Sequence, residues 1–275
     1  MKNFQQKIIV ITGAGSGMGR SMAIQLAQMG ARVLLSDKNE AALNETKALI
    51  ESAKGLCKTY VVNVAERSQI EAFAKDVLVE FKFIDVLINN AGMAIGEATL
   101  NEIPLADFEL LINVNMWGVI HHTRLFLDVL KSRPESAIAN TSSVFGLMGI
   151  PGQIPYCISK FAVRGFTDSL RLELQDTNVA VTCIHPGGID TNIVHNGIHY
   201  RDKDKVAEEF KKLVITSSDK AAEIIIKAIQ KKSKRVMVGP DAKMVRFFSQ
   251  LAPSLVDSYI MRKKAEMEKH RAVSQ

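Results

Sequence analysis

Three polar residues in the middle of the chain have the types and spacing that suit proton transfer. Lys160 follows Tyr156 by four positions, and Ser143 precedes the tyrosine by thirteen. If Tyr156 and Lys160 lie on one helix, they share a face, so the ammonium can sit beside the phenol. A nearby positive charge favours the phenolate, and we therefore expect Lys160 to lower the pKa of Tyr156. A tyrosine tuned in this way can exchange a proton with an alcohol or carbonyl oxygen, to which Ser143 would offer its hydroxyl.

The N-terminal segment has the pattern of a nucleotide-binding turn. The apolar run 7–12 is typical of a buried strand, and it leads through a glycine-rich segment into a helical pattern at 20–29. Gly13 permits a tight turn, Gly17 lets the backbone approach a pyrophosphate, and Gly19 lets helix and strand pack closely. The helix would then present free N–H groups to the phosphates. The segment lacks the Gly-Lys-Ser/Thr of a P-loop, which argues against a phosphoryl-transfer NTPase; a purely structural glycine turn is the alternative.

An acidic residue at the end of the next apolar run bears on the cofactor. Asp37 follows the run 32–36 and lies 24 residues after Gly13. In dinucleotide-binding folds an acidic side chain at this place holds ribose hydroxyls; a helix N-cap is the alternative. We expect Asp37 to favour NAD and to repel the 2′-phosphate of NADP. Lys38 could soften that exclusion, which leaves NADP open.

Together these residues resemble the short-chain dehydrogenase/reductase family in its compact single-domain form, over about residues 5–240. Further shared motifs are Asn89-Asn90-Ala91-Gly92, Asn115, and Pro186-Gly187 with Thr191 beyond. The resemblance implies a Rossmann-like, doubly wound α/β fold with a seven-stranded parallel sheet and helices on both faces. The chain departs from the family pattern at Asn63, where many members carry an aspartate that contacts adenine, and at Ile158, where alanine is common.

The resemblance also implies a role for each of four side chains. Tyr156 would be the acid/base, and Lys160 would lower its pKa and bond the nicotinamide ribose. Ser143 would hold the substrate oxygen, and Asn115 would order a water that connects Lys160 to solvent. The residues expected at the cofactor are Gly13, Ser16, Gly17, Met18, Gly19, Asp37, Asn63, Val64, Asn90, Gly92, Tyr156, Lys160, Pro186, Gly187, Ile189 and Thr191. No metal is expected.

The expected activity is hydride transfer between a nicotinamide cofactor and a secondary alcohol or ketone. The segments expected to line the substrate pocket, 93–95, 144–148 and 193–194, are apolar, which favours a lipophilic substrate over a polyol. Reduction of a β-ketoacyl thioester with NADPH and a non-catalytic dinucleotide-binding sensor are the alternatives. The net charge of +6 suggests a nucleic-acid binder, but there is no basic recognition helix or aromatic RNA-binding motif, so none is expected.

Composition and cysteine usage fit one large α/β domain. Three cysteines, Cys57, Cys157 and Cys183, form no disulfide framework, which favours a reducing compartment. We find no signal peptide and no stretch long enough to span a membrane, and we expect a cytoplasmic protein. Residues 1–240 are assigned to a single NAD(P)-binding catalytic domain.

Residues 241–275 are assigned to a basic, amphipathic C-terminal arm. Residues 227–275 carry 12 Lys/Arg and 4 Asp/Glu. Apolar residues recur at near-helical spacing from Met244 to Ile260, Pro253 should kink or divide the helix, and a charged end follows. We expect the arm to pack on its own or a neighbouring subunit; an anionic membrane surface, and hence a peripheral membrane location, is the alternative.

The family resemblance also implies a homodimer or homotetramer. Family members commonly associate through the two helices that correspond here to the helical patterns at 105–131 and 155–174. The second pattern is apolar on more than one side, which requires cover on more than one face. Deep burial of that helix within one subunit is the alternative.

Overall fold

The computed structural model of the protein describes residues 1, 3–200 and 202–273, without the side chains of residues 213, 263–264 and 266–273. Arg201, and most side chains of the charged end predicted at 262–271, are therefore not described.

The centre of the fold is a parallel sheet built from short apolar runs. Its strands are β1 (Ile8–Thr12), β2 (Arg32–Asp37), β3 (Leu56–Val61), β4 (Val86–Asn89), β5 (Ser136–Thr141), β6 (Val179–Pro186) and β7 (Arg235–Val238). In the described part of the chain these seven strands form one sheet in the order β3-β2-β1-β4-β5-β6-β7, and every neighbouring pair is parallel. The predicted fold class is confirmed. The strand order reverses between β1 and β4, and α/β folds bind ligands beside such a reversal, at the carboxyl ends of the strands.

Helices alternate with the strands along the chain. They are α1 (Gly17–Gln28), α2 (Glu40–Ser52), α3 (Arg67–Phe81), α4 (Leu105–Ile112), α5 (Gly118–Ser132), α6 (Ile154–Glu173), α7 (Lys203–Leu213), α8 (Ser218–Gln230), α9 (Pro240–Leu251) and α10 (Pro253–Val273). A π-helical turn (Asn113–Trp117) joins α4 to α5, and a 3₁₀ turn (Val144–Gly146) follows β5.

Both faces of the sheet are covered because successive strand side chains point to opposite sides. Ile9 and Ile11 of β1 lie in one buried apolar cluster with side chains of α1 and α8. Val10, between them, lies in a second cluster with side chains of α3, α5 and α6. A strand that is apolar on both faces requires this three-layer arrangement.

The structure differs from the predicted elements in two places. The helical pattern at 105–131 is not one regular helix, because the π-helical turn interrupts it around Asn115. A further helix, α7, follows β6, and the side chain of Asp202 accepts a hydrogen bond from Lys205 N at 3.0 Å and caps it. The sequence pattern concealed α7 because this helix is mostly charged and carries few apolar side chains. The predicted division at Pro253 is present, since α9 ends at Leu251 and α10 begins at the proline.

A buried carboxylate holds the sheet together at the end away from the candidate site. Asp85, immediately before β4, is 1 % exposed. It accepts hydrogen bonds from Ile8 N at 2.9 Å, Lys7 Nζ at 3.3 Å and Arg133 Nε at 3.0 Å. Asp85 therefore joins the start of β1, the start of β4 and the segment that follows α5.

We expect Asp85→Ala to lower the free energy of unfolding by about 3 kcal/mol, because the N–H of Ile8 loses its acceptor and two cations lose their counter-charge. Denaturant unfolding measures the change. The control Asp76→Ala removes an exposed carboxylate of α3 and should stay within about 0.5 kcal/mol of the parent. Equal unfolding midpoints for the two variants would contradict the inferred role of Asp85.

Candidate active site

The glycine turn between β1 and α1 has the backbone geometry that the sequence indicates. Gly13 and Gly17 adopt positive φ angles of 67° and 51°. A Cβ on Gly19 would collide with the carbonyl oxygen of Gly13, so the close approach of helix and strand requires glycine there. Asn90, after β4, secures the turn because its Nδ2 donates to Thr12 O at 3.1 Å and to Gly13 O at 3.2 Å.

Asp37 lies beside this turn at the end of β2. Its Oδ2 accepts from Gly15 N and its Oδ1 from Asn39 N, each at 3.0 Å. It is not the N-cap of α2, because Asn39 fills that position and accepts from Ala42 N at 3.1 Å. A positive-φ turn at a helix N-terminus, with a carboxylate fixed next to it, fits the diphosphate and the adjoining ribose of a dinucleotide.

The other residues expected at the cofactor also lie at or just beyond the carboxyl ends of the strands. Thr191 stands over Gly17, where an added Cβ would be 3.0 Å from Thr191 Cγ2. Asn63, after β3, accepts from Ala65 N at 3.1 Å through its own Oδ1. The side chain of Ile189 is buried in the same apolar cluster as Ile9 and Ile11, so only its backbone is left to meet a ligand. Met18 packs against that cluster as well.

Tyr156 and Lys160 occupy the first turns of α6, next to the end of β5. The Lys160 Nζ lies 5.5 Å from the centroid of the Tyr156 ring and donates to Thr141 O at 3.1 Å. Ser143 begins the 3₁₀ turn, and its Oγ accepts from Phe145 N at 3.1 Å. The structure therefore brings together the three side chains that the sequence singled out.

The expected lowering of the Tyr156 pKa by Lys160 is not what the structure shows. Burial raises the pKa of Tyr156 to about 12, and a hydrogen bond with Ser143 acts in the opposite direction. The ammonium lies over the ring and bonds a carbonyl, so desolvation of the phenol prevails. Burial also lowers the pKa of Lys160 to about 8.

Asn115 lies in the π-helical turn and is fully buried. Its Nδ2 donates to Met93 O at 3.0 Å and to Ser159 Oγ at 3.1 Å, and its Oδ1 accepts from Met93 N at 2.8 Å. A Cβ on Gly92 would lie 3.3 Å from Asn115 Oδ1 and 3.4 Å from Lys160 Nζ, so both polar groups converge on this glycine. π-Helical turns are frequent at functional sites. The expected role of Asn115 in ordering a water stays a prediction.

An apolar cluster adjoins Tyr156 on the side expected for the substrate. It comprises Met93, Ile95, Ala98, Ile103, Leu111 and Tyr156, with Ala94, Phe108, Val114, Phe145 and Ile198 packed against it. The Phe145 ring meets the Tyr156 ring edge-to-face, with centroids 5.8 Å apart. Of the described residues in the loop after β6, Ile198 joins this cluster, whereas the predicted Ile193 and Val194 do not belong to it. Ile198 is held there by a bridge to Ile95.

Two residues that the sequence did not assign to the site fix the turn that carries Ser143. His185 is fully buried on β6, and its Nδ1 lies 3.0 Å from Ser143 O. Burial lowers the pKa of His185 to about 4, so the ring is neutral and Nδ1–H donates to that carbonyl. Arg164 of α6 donates from Nη1 to Gly146 O at 3.2 Å. Neither residue stands near Ser143 in the sequence, and no local pattern identifies them.

Asp241 is a third residue that the sequence did not assign to the site. It lies in the first turn of α9 and accepts from Gly188 N at 2.7 Å through Oδ2. A Cβ on Gly187 would collide with the same carboxylate. The segment after β6 is therefore braced by the first residue of the proposed C-terminal arm.

Neither a metal site nor a membrane-spanning helix is found among the described residues. Among them, no group of three or more His, Cys, Asp or Glu side chains could hold a metal ion. In the same residues, no helix combines the length and the apolar character needed to cross a bilayer.

Comparison with known proteins identifies the class. Residues 7–201 match the short chain dehydrogenase family, and the chain belongs to that family. SadH of Mycobacterium tuberculosis, an oxidoreductase by name, is 38% identical over 259 residues, which are 92% of this chain and 94% of SadH. The 3-oxoacyl-[acyl-carrier-protein] reductase FabG of Thermotoga maritima is 36% identical over 67% of this chain and 75% of its own length.

A solved structure of the same family gives the corresponding comparison in three dimensions. The short chain dehydrogenase/reductase of Burkholderia phymatum, solved in complex with NAD, superposes with a TM-score of 0.82 at 28% identity. The match covers 90% of this chain and 94% of that one.

The lowered pKa of Lys160 predicts a break in the pH profile. We expect kcat/KM in the reductive direction to fall as the pH rises through about 8. Above that pH the neutral form of Lys160 prevails, and it would no longer stabilise the phenolate that Tyr156, the predicted acid, leaves on giving up its proton. Initial rates across this range test the expectation. The control Lys160→Gln never carries the charge and should be slower throughout, without this break; a parent profile that is flat near the break would contradict the expectation.

Proposed function

We propose that this protein is an NAD-dependent oxidoreductase that interconverts a secondary alcohol and a ketone, with Tyr156 as the acid/base. The observation that carries the proposal is the arrangement of Ser143, Tyr156 and Lys160 beside a glycine turn that fits a dinucleotide. A sensor that only binds dinucleotide would have no need of this set, which weighs against the non-catalytic alternative.

The proposed chemistry divides between cofactor and protein. NAD(H), when bound, supplies or accepts the hydride. Gly13, Gly17 and the N–H groups at the start of α1 would hold its phosphates, and Asp37 its adenine ribose. In ketone reduction Tyr156 donates its hydroxyl proton to the carbonyl oxygen while Ser143 donates a hydrogen bond to the same oxygen. The charge on Lys160 stabilises the phenolate that remains, and in alcohol oxidation each proton moves in reverse.

NAD, rather than NADP, is the cofactor that the site supports best. Both oxygens of Asp37 are already fixed by backbone N–H groups, so the carboxylate cannot swing away from a 2′-phosphate at no cost. The Burkholderia phymatum relative, solved with NAD, supports the same choice. Lys38 is exposed next to Asp37 and keeps NADP as the alternative.

A lipophilic alcohol or ketone is the substrate class that the apolar cluster around Tyr156 supports. Hydroxyl groups of a polyol would lose their hydrogen bonds to water against Met93, Ile95 and Phe145, and that loss is costly. The similarity to FabG favours a second candidate, reduction of a β-ketoacyl thioester with NADPH. A substrate panel that contains polyols, lipophilic alcohols and β-ketoacyl thioesters separates the candidates.

We also propose that the protein forms a homodimer or homotetramer in the cytoplasm. On α6, Val163 and Leu170 are buried, whereas Ile158, Phe161 and Leu172 are exposed large apolar side chains. A second subunit is the cover that such an outer face requires. All three cysteines are free, which supports a reducing compartment.

We expect Tyr156→Phe to lower kcat for the best panel substrate by about 10²- to 10⁴-fold, the usual effect of losing a positioned acid/base. Nicotinamide absorbance follows turnover, and thermal unfolding checks the fold. The matched control Tyr60→Phe removes the hydroxyl of a β3 side chain whose ring packs against Phe73. We expect this variant to keep the turnover of the parent protein. Parent-like turnover in a folded Tyr156→Phe protein would refute the assignment.

We expect Asp37→Ala to raise the ratio of NADP to NAD efficiency about tenfold or more, because the repelling charge is gone. Paired assays with the two cofactors measure the ratio. Asp37→Asn keeps an acceptor for Gly15 N–H and removes the charge, so it separates repulsion from disturbance of the turn. Equal or better efficiency of the parent with NADP would overturn the cofactor choice.

A further inference from the structure

Helix α9 has an apolar side that nothing covers among the described residues. Its inner side chains, Ala242 and Val245, pack beside Val144 and Met237. Its outer side carries large apolar residues at i, i+3, i+4 and i+7 spacing, with exposed fractions between 45 % and 69 %: Met244, Phe247, Phe248 and Leu251. Residues at this spacing lie on one side of a helix.

Helix α10 also carries exposed apolar side chains. Leu255 and Tyr259, four positions apart, are exposed, whereas Val256 and Ile260 are half-buried. We call six of the exposed apolar residues of the two helices the outer stripe: Met244, Phe247, Phe248, Leu251, Leu255 and Tyr259. The stripe thus has members on both sides of the break at Pro253.

The net charge of the segment that carries the outer stripe indicates the kind of surface that covers the stripe. Residues 243–264 carry five Lys/Arg and one Asp/Glu, a net charge of +4. Lys243 is exposed and lies four positions before Phe247, so the two share one side of α9. A second copy of this chain would bring like charges together, whereas an anionic surface would be attracted to them.

We propose that the outer stripe docks on an anionic lipid bilayer. Aromatic, methionine and leucine side chains would enter the boundary between headgroups and acyl chains, and the exposed Lys243 would contact lipid phosphates. The helices would lie on the membrane, because no described helix is suited to cross it. The inner side of α9 packs on its own subunit, as the sequence favoured, and the outer stripe would take the anionic membrane surface that the sequence left as the alternative.

The inner side of the arm adjoins the candidate substrate site. Val245 packs in one cluster with Phe145 and Leu147, the segment that follows Ser143. Asp257, Ile260 and Met261 line an open surface depression of about 330 Å³ together with Gly149, Ile150 and Pro151. Docking through the outer stripe would therefore bring this depression close to the lipid. Entry of a lipophilic substrate at this place depends on the proposed function. Docking on the bilayer does not depend on it.

Co-sedimentation of the full chain with vesicles tests the proposal. The probes are vesicles of phosphatidylcholine alone and vesicles of equal parts phosphatidylcholine and phosphatidylglycerol. We expect the parent to bind the anionic vesicles and not the neutral ones. The double variant Phe247→Glu/Phe248→Glu should weaken binding about tenfold or more, and Lys243→Glu about fivefold or more. Sedimentation is read without turnover, so a failure of the proposed activity leaves this test intact.

A matched variant separates docking through the stripe from general attraction of a basic protein. Leu49→Glu/Val79→Glu makes the same charge change at two exposed apolar residues of α2 and α3, and it should bind like the parent. Equal losses in both double variants would overturn the proposal, as would a parent that never binds anionic vesicles. Light scattering tests whether a second copy of the chain covers the stripe instead. An oligomer that is smaller for Phe247→Glu/Phe248→Glu than for the parent, with vesicle binding unchanged, would assign the stripe to a second copy.

Discussion

The candidate active site depends on the burial of one lysine. Lys160 is 3 % exposed, and an ammonium that leaves water loses free energy unless polar groups replace its hydration. Thr141 O accepts from its Nζ, and Gly92 leaves the space into which the ammonium projects. Ser142 Oγ donates to the backbone carbonyl of Lys160 at 2.7 Å and fixes α6 against β5. The same burial lowers the pKa of the lysine and makes its proton available near neutral pH.

The positions of the other polar groups follow from the packing around that lysine. Ser159, its neighbour on α6, bonds Asn115 in the π-helical turn, and Asn115 bonds the backbone of Met93. The helix interruption therefore brings a polar side chain to the place where α6 and the segment after β4 meet. His185 and Arg164 hold the turn of Ser143 from behind.

The C-terminal arm contacts the candidate site near its start and carries exposed apolar side chains on its outer side. Asp241 braces the segment after β6, and Val245 packs beside Phe145, so removal of α9 would expose one wall of the site. Residues of the outer stripe make no comparable contribution to the core. The division into a domain (residues 1–240) and an arm (residues 241–275) remains a proposal. Contacts of Asp241 and Val245 join the two parts.

Sequence by itself determined the fold class and most of the candidate site. Apolar runs that alternate with helical patterns indicate a doubly wound sheet, because each strand must be covered on both faces. Gly13, Gly17, Asp37, Tyr156 and Lys160 are recognisable because local spacing controls how they act: a turn needs glycine, and residues four apart on a helix share a side.

Only the tertiary structure decided what depends on contacts between remote segments. The pKa of Tyr156 is raised, not lowered, because desolvation is set by all the segments that enclose the phenol and not by the lysine one turn away. His185 and Asp241 reach the site from β6 and α9, and Ile198 reaches it from a loop. No linear pattern encodes such meetings, because packing brings together side chains that lie far apart along the chain.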